Sequence, residues 1–228
     1  MRIAVTLLSA FLVCLAAPAA AQVVTYEEVI IEEYVVEGTG GERFVEARDA
    51  AVPQGVAAYG PFRVLDNARA ALVDVTDARS PAAFAAMLRA HPDIAMIEMI
   101  DCPGTEDDLA NLRLGRMIRA AGLVTYVPPG GSVRSGGVEL FLAGARRMAA
   151  PQAEFAVHAW MDDTGREATD YAAAAPENAK YLAYYQAMGL SAAEARAFYA
   201  MTNSVPHAGA LWLSGREMAQ WVKLDEAA

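Results

Sequence analysis

The chain has 228 residues, which is enough for one sizeable α/β domain and hardly for two. Hydrophobic residues make up 55% and charged residues 20%, so wholesale disorder is excluded and a substantial core is expected. The formal charge of −10 argues against non-specific nucleic-acid binding, because a polyanion needs a basic surface. Two cysteines are too few for a disulfide scaffold.

The first 21 residues have the pattern of an export signal. An arginine stands near the start, residues 3–17 are apolar, and the three alanines ending at Ala21 fit the small-x-small cleavage rule. We therefore expect a signal peptide over 1–21, cleavage before Gln22 and a bacterial periplasmic protein with no membrane span after processing. An uncleaved anchor is the alternative. The mature chain would keep only Cys102, and so no internal disulfide.

Residues 22–59 are predicted to form a lead-in to the domain. The segment 23–37 alternates apolar and acidic doublets, and its β-branched residues favour a strand. The segment 38–60 holds five glycines and one proline, which is typical of irregular structure. The domain itself is predicted over 60–222, with a short tail over 223–228.

From residue 60 onwards, strand patterns alternate with helix patterns. Strands are predicted within 62–75, 94–100, 123–127 and 155–160, and helices at 80–90, 107–121, 138–144, 170–188, 191–201 and 215–221, with a glycine-rich turn at 130–137. This alternation indicates crossover connections and a mainly parallel sheet, hence an α/β fold.

Three features follow predicted strands, which is where sites lie in open α/β sheets. They are the turn 101–105, Ser135 within the glycine-rich segment 131–137, and His158 on a core strand. A Pro-Gly turn can expose backbone N–H groups, a serine in a tight strand-to-helix turn presents its hydroxyl, and an imidazole can act as a base. Each also has a structural interpretation: a helix cap at Thr105, a capping serine and a hydrogen-bonded core histidine. No close histidine pair exists, so no metal site is predicted.

Taken in order, these features resemble the Clp protease proteolytic subunit and its exported bacterial relatives, within the crotonase-like superfamily. The resemblance covers about residues 60–222. It is carried by IDCPGT at 100–105, SGGVELFLAGARR at 135–147, PQAEFAVH at 151–158 and LSGREMAQW at 213–221. It implies a spiral of ββα units in a single domain, and subunits that assemble into a homo-oligomer.

The resemblance also implies roles for single residues. Ser135 would be the nucleophile, His158 the general base, and the backbone N–H groups of Thr105 and Gly136 the oxyanion hole, with no cofactor. Two departures stand out. Thr105 replaces a glycine of the family pattern, and no aspartate precedes the last helix.

The third member of a catalytic triad therefore has three candidates, Asn203, His207 and Asp162. Asp162, like Asp163, is also interpreted as part of a solvated turn.

Two functions remain open on the sequence alone. The first is a serine hydrolase that acts on a peptide or acyl substrate. The second is a catalytically silent binding or assembly protein on the same fold. A Ser–Lys dyad is less favoured, because the mature chain has only Lys180 and Lys223 and Lys180 has the pattern of a surface charge. Acyl-CoA chemistry is disfavoured for an exported protein.

Overall fold

The computed structural model describes residues 51–226 and, upstream of them, the backbone of a two-residue strand, β1 (Arg43–Phe44). These residues belong to one compact unit of the chain, Gly38–Ala228. The predicted signal peptide and the strand predicted over 23–37 lie outside the described residues. Among 51–226, no helix combines the length and the apolar character that crossing a bilayer requires.

A large sheet of six strands carries most of the apolar core. Its strands are β2 (Ala57–Tyr59), β3 (Phe62–Val64), β4 (Arg69–Leu72), β5 (Met96–Met99), β8 (Val124–Val127) and β10 (Arg146–Ala149). Their order across the sheet is β10-β8-β5-β4-β3-β2. The four strands from β10 to β4 are parallel, and β3 and β2 continue the sheet as antiparallel neighbours. The sheet thus begins at Ala57, inside the predicted lead-in.

A second sheet of four strands stands beside the first. Its members are β6 (Asp101–Cys102), β9 (Ser132–Arg134), β11 (Glu154–Val157) and β12 (Leu211–Ser214), in the order β12-β11-β9-β6. The three strands β6, β9 and β11 are parallel. Each of them follows a strand of the large sheet, so β5–β6, β8–β9 and β10–β11 form successive strand pairs. The strand β9 lies inside the segment predicted as a glycine-rich turn.

Six helices complete the described part of the domain. They are α1 (Ser80–Ala90), α2 (Asp108–Ala120), α3 (Gly136–Leu142), α4 (Pro176–Ala187), α5 (Ala192–Thr202) and α6 (Gly215–Met218). Helices α2 and α3 follow the first two strand pairs, which produces the repeated ββα order. The predicted fold class, an α/β spiral with mainly parallel strands, is confirmed.

One helix starts later than predicted. The sequence pattern indicates a helix from residue 170, whereas α4 begins at Pro176 after a short 3-10 turn, Ala168–Asp170. Proline suits the first position of a helix, because its missing N–H would have no partner there and its fixed φ is already helical.

Buried tyrosines of α4 attach this helix to α3. The Tyr184 hydroxyl donates to the Glu139 carbonyl oxygen at 2.6 Å, and the Tyr185 hydroxyl donates to Glu139 Oε1 at 2.9 Å. A Cβ atom at Gly115 would lie 1.9 Å from the Tyr184 hydroxyl oxygen, so α2 approaches α4 closely only because it carries glycine there. Tyr184 and Tyr185 are therefore core residues.

Candidate active site

The parallel strands of the small sheet end at one edge. In their register, Cys102 lies opposite Val133, and Arg134 lies opposite Ala156. One residue beyond β9, the Ser135 N–H still donates to the Ala156 carbonyl at 2.8 Å. His158 directly follows β11. Because neighbouring strands are about 4.8 Å apart, Ser135 and His158 leave adjacent points of the same edge.

Ser135 has an unusual backbone conformation. Its φ is 50° and its ψ is −125°, and it is the one non-glycine residue with positive φ among the described residues. A side chain in this region costs about 1–3 kcal/mol, and such strain concentrates at functional sites. The conformation arises where β9 must turn at once into α3. The sequence signal for this turn is the serine followed by two glycines.

The Ser135 side chain is buried and its hydroxyl is unsatisfied. The residue is 0% exposed, and Oγ has no hydrogen-bond partner among the described residues. A buried hydroxyl without a partner costs about 1–3 kcal/mol. The serine is therefore not acting as a cap, because the side chain makes no capping bond to α3. The structural interpretation of Ser135 as a capping residue is wrong.

His158 is also buried, at 1% exposure. Its Nδ1 atom lies 2.9 Å from the carbonyl oxygen of Ala159. A carbonyl oxygen can only accept, so this bond places the proton of a neutral imidazole on Nδ1 and leaves the lone pair on Nε2. The main chain thus selects the tautomer that a general base needs when it accepts through Nε2.

His207 reaches the imidazole from the loop that follows α5. The two histidine rings meet edge to face, with their centroids 4.8 Å apart. Nδ1 of His207 lies 3.2 Å from the same Ala159 carbonyl oxygen, and the His207 N–H donates to Glu167 Oε1 at 3.0 Å. The loop is joined further to this region by a 2.9 Å bond from the Ala159 N–H to the Val205 carbonyl.

The other two candidates for a third triad member have different partners. The Asn203 side-chain amide donates to the Tyr199 carbonyl at 2.8 Å, at the end of α5. Asp162 accepts from the Thr164 hydroxyl and the Tyr171 hydroxyl in a turn after the histidine strand. Among the described residues, neither side chain has a hydrogen bond to His158. The turn interpretation of Asp162 agrees with these contacts.

The predicted oxyanion turn packs directly against the start of α3. Thr105 is 0% exposed, and a Cβ atom added at Gly136 would lie 2.6 Å from Thr105 Cγ2 and 3.2 Å from the Thr105 nitrogen. The structural interpretation of Thr105 as the cap of α2 is wrong. Asp107 is the cap and accepts from the Ala110 N–H at 2.9 Å, while Thr105 belongs to β7 (Gly104–Thr105).

Cys102, in the same turn, is not a plausible nucleophile. Burial raises the pKa of its thiol well above the ordinary value, and the Asp101 carboxylate raises it further, against a smaller lowering by Arg134. The reactive form of cysteine is the thiolate, which this environment disfavours. The thiol contacts the Leu72 carbonyl oxygen at 3.5 Å instead.

A buried ion pair that was not predicted from the sequence underlies the site. Arg134 is 0% exposed, and its guanidinium donates to Asp101 Oδ1 at 2.6 Å and to Ser132 Oγ at 2.7 Å. The pair joins β6 to β9. Asp101 directly follows the predicted strand 94–100 and begins the predicted turn 101–105, and Arg134 directly precedes Ser135. This pair of opposite charges was the available signal.

A cavity of about 390 Å³ lies between the ends of β8 and β10 and the segment around Asp225. Within residues 51–226, no group of three or more histidine, cysteine or acidic side chains is arranged to hold a metal ion.

No protein-family model matches the chain, and no curated protein does. Several solved structures are similar to it. The 1510-N membrane protease specific for a stomatin homolog from Pyrococcus horikoshii matches with a TM-score of 0.46 and 17% identity, over 68% of this chain and 69% of that one. A mutant of the 1510-N protease in complex with a substrate peptide matches with a TM-score of 0.42 and 18% identity, over 69% and 74%.

A mutant of ClpP1 from Listeria monocytogenes matches with a TM-score of 0.45 and 17% identity, over 68% of this chain and 88% of that one. One of these structures, ClpP1, is thus from the protein family that the sequence resemblance named.

Proposed function

We propose that the chain is a serine hydrolase of the peptidase type, with Ser135 as the nucleophile and His158 as the general base. The observation that carries the proposal is the strained conformation of Ser135, beside His158 at one sheet edge. A fold that needed only a turn here would use glycine. A serine with positive φ and an unsatisfied hydroxyl lowers the stability of the fold, which a functional role of the hydroxyl explains.

The chemistry follows the ordinary acyl-transfer sequence. Ser135 Oγ attacks the carbonyl carbon of the substrate while its proton passes to His158 Nε2. The N–H groups of Thr105 and Gly136 stabilise the resulting oxyanion. The C–N bond then breaks, and the leaving amine takes the proton from the imidazolium. Water, deprotonated by His158, hydrolyses the acyl-enzyme and restores Ser135.

In this mechanism the Ala159 carbonyl orients the His158 imidazole, as a carboxylate does in a full catalytic triad. In serine proteases, an amide in place of the aspartate lowers kcat about 10⁴-fold, because it holds the wrong tautomer. The Ala159 carbonyl can only accept, so it keeps the proton on Nδ1 of His158. It brings no full negative charge to the imidazolium, so we expect a slow enzyme rather than an inactive one.

Covalent labelling tests the proposal. A fluorophosphonate probe should modify the folded full-length protein at one serine, and the Ser135→Ala variant should lose at least about 10³-fold in labelling rate, as expected for removal of an activated nucleophile. Ser204→Ala is the matched control, since Ser204 is an exposed serine on the loop beside His158. Labelling of wild type, with peptide mass spectrometry placing the adduct anywhere but Ser135, would refute the assignment.

The cellular location is part of the same proposal. Residues 1–21 act as an export signal, so the protein isolated from the periplasmic fraction of a bacterial host should begin at Gln22. Intact mass measurement distinguishes this from a chain that retains Met1. Retention of the first 21 residues in the membrane fraction would support the uncleaved anchor instead.

A second function is favoured by a separate set of observations. Ser135 and Thr105 are fully buried, and the Thr105 methyl group packs so closely against Gly136 that no side chain would fit there. Such packing suits a silent binding or assembly protein on the same fold. That alternative predicts no fluorophosphonate adduct in folded protein, together with a homo-oligomer that native mass spectrometry detects in both wild type and Ser135→Ala.

A further inference from the structure

A strand from the N-terminal side of the domain pairs with the predicted oxyanion turn. The strand β1 runs antiparallel to β7, with Arg43 opposite Thr105 and Phe44 opposite Gly104. Of the two, Thr105 lies against Gly136, the residue that follows Ser135. The chain therefore brings a segment of its own, from outside the 60–222 region, to the residues proposed to bind the substrate carbonyl.

The direction of the Thr105 N–H follows from the hydrogen bonds that Gly104 and Glu106 make to Thr76, on the side of β7 opposite β1. The Gly104 carbonyl accepts from the Thr76 N–H at 3.0 Å, and the Glu106 N–H donates to the Thr76 carbonyl at 2.8 Å. In a trans peptide, the C=O of one residue and the N–H of the next point in opposite directions. Both polar groups of the Thr105 backbone therefore point away from Thr76 and towards β1.

Arg43 is the residue of β1 that lies opposite the N–H and C=O groups of Thr105. In an antiparallel pair, residues directly opposite each other either exchange both backbone hydrogen bonds or exchange none, and the two kinds alternate. Since the Thr105 N–H and C=O face β1, Arg43 and Thr105 form an exchanging pair. Phe44 and Gly104 form the non-exchanging one, because the Gly104 carbonyl is directed to Thr76.

We propose that Arg43–Phe44 is an inhibitory strand that occupies the peptide-binding edge of the active site. The inference rests on the proposed function, in which the Thr105 N–H stabilises the oxyanion. That donor cannot serve the Arg43 carbonyl and a substrate carbonyl together, so β1 must leave before a peptide can bind. A ladder of two residues is short enough for a substrate or a partner to displace it.

Two proline variants distinguish the effect of losing the backbone hydrogen bond between Arg43 and Thr105 from the effect of introducing a proline into β1. Arg43→Pro removes the N–H that faces Thr105, whereas Phe44→Pro removes an N–H that points away from β7 and is the matched control. Hydrogen exchange of the Thr105 amide reports the pairing without requiring activity. The fluorophosphonate labelling rate of Ser135 reports access to the site.

The expected result is that Arg43→Pro speeds both Thr105 exchange and Ser135 labelling at least about tenfold, by opening the edge, and that Phe44→Pro changes neither. Faster exchange at Thr105 with an unchanged labelling rate would overturn the inhibitory strand and leave the hydrolase proposal standing. An unprotected Thr105 amide in wild type would also overturn it. Absence of labelling in every variant would overturn both proposals.

Discussion

The two sheets bury different kinds of side chain. The large sheet is filled with apolar residues, and the side chains of Thr125 and Arg147, its buried polar residues, bond to main-chain carbonyls. The small sheet buries the Asp101–Arg134 pair beside Ser135, and leaves Ser135 Oγ and Arg134 Nε without a hydrogen-bond partner in the described part of the chain.

This contrast separates stability from function. A buried polar atom without a partner costs about 1–3 kcal/mol, and a sheet whose only task was to hold the core would replace it with an apolar one. The large sheet follows that rule and the small sheet breaks it around Ser135. The strain at Ser135 falls in the same place. The residues of the small sheet around Ser135 are therefore explained by function rather than by stability.

The largest expected effect on stability comes from breaking the ion pair of the small sheet. Asp101→Ala leaves the Arg134 charge buried with only Ser132 as its side-chain partner, so the free energy of unfolding should fall by about 3–5 kcal/mol in urea denaturation. A matched truncation in the large sheet, Ile97→Val, should cost about 0.5–1.5 kcal/mol.

Removing both charges tests the cause. Adding Arg134→Met to Asp101→Ala should recover most of the loss, because no uncompensated charge remains. If Asp101→Ala costs no more than Ile97→Val, the contrast between the two sheets does not hold.

The order of the elements could be predicted from the sequence because each strand and helix has its own hydrophobic period and its own boundary residue. Asp107 and Gly122 bound α2 where the pattern indicates. Local pattern also placed Ser135 in a glycine-rich turn before a helix and His158 on a core strand. Parallel strands in one sheet then bring their carboxyl ends to a common edge.

The partners of the site could not be predicted in this way, because they depend on register. Asp101 and Arg134 are 33 residues apart, and they meet only because β6 pairs with β9. The same applies to β9 itself, whose three residues lie among glycines that indicate a turn. Spacing alone also could not show that the Asn203 amide is engaged at the end of α5.

The next effect concerns the contact between the oxyanion turn and α3. Gly136→Ala places a Cβ atom 2.6 Å from Thr105 Cγ2, and overpacking of this kind costs about 1–3 kcal/mol. Thr105→Ser removes that methyl group and keeps the hydroxyl that bonds to Thr76 and Asp107. In the Thr105→Ser background, Gly136→Ala should therefore cost clearly less. Equal costs in both backgrounds would contradict the contact.

A smaller effect isolates the strain at Ser135. Ser135→Ala and Ser135→Gly both remove the unsatisfied hydroxyl, but only glycine accepts the positive φ without strain. The glycine variant should be more stable than the alanine variant by about 1 kcal/mol in thermal and urea unfolding. At Ser132, which has no positive φ, the same pair of substitutions should favour alanine, so a preference for alanine at both positions would remove the argument from strain.

The smallest effect comes from Asp162, the carboxylate of the exposed turn beside the small sheet. Burial raises its pKa, but hydrogen bonds from Thr164, Tyr171 and Arg166 outweigh burial and hold the pKa below its ordinary value. A lowered folded pKa means that its contribution to stability is complete above the unfolded pKa of about 3.9 and is lost as the pH falls through the folded value. Because the side chain is 24% exposed, solvent screening limits this contribution to less than about 1 kcal/mol.

Asp162→Asn should therefore lower stability slightly at pH 7, and the difference from wild type should shrink as the pH falls below about 4. Urea unfolding at pH 7, 5 and 3.5 measures this trend. The same variant distinguishes a turn residue from a catalytic one, because Asp162 bonds within its own turn and has no hydrogen bond to His158. The labelling rate of Ser135 should stay within about twofold of wild type, whereas a loss near the 10⁴-fold of a missing triad carboxylate would assign Asp162 to the site.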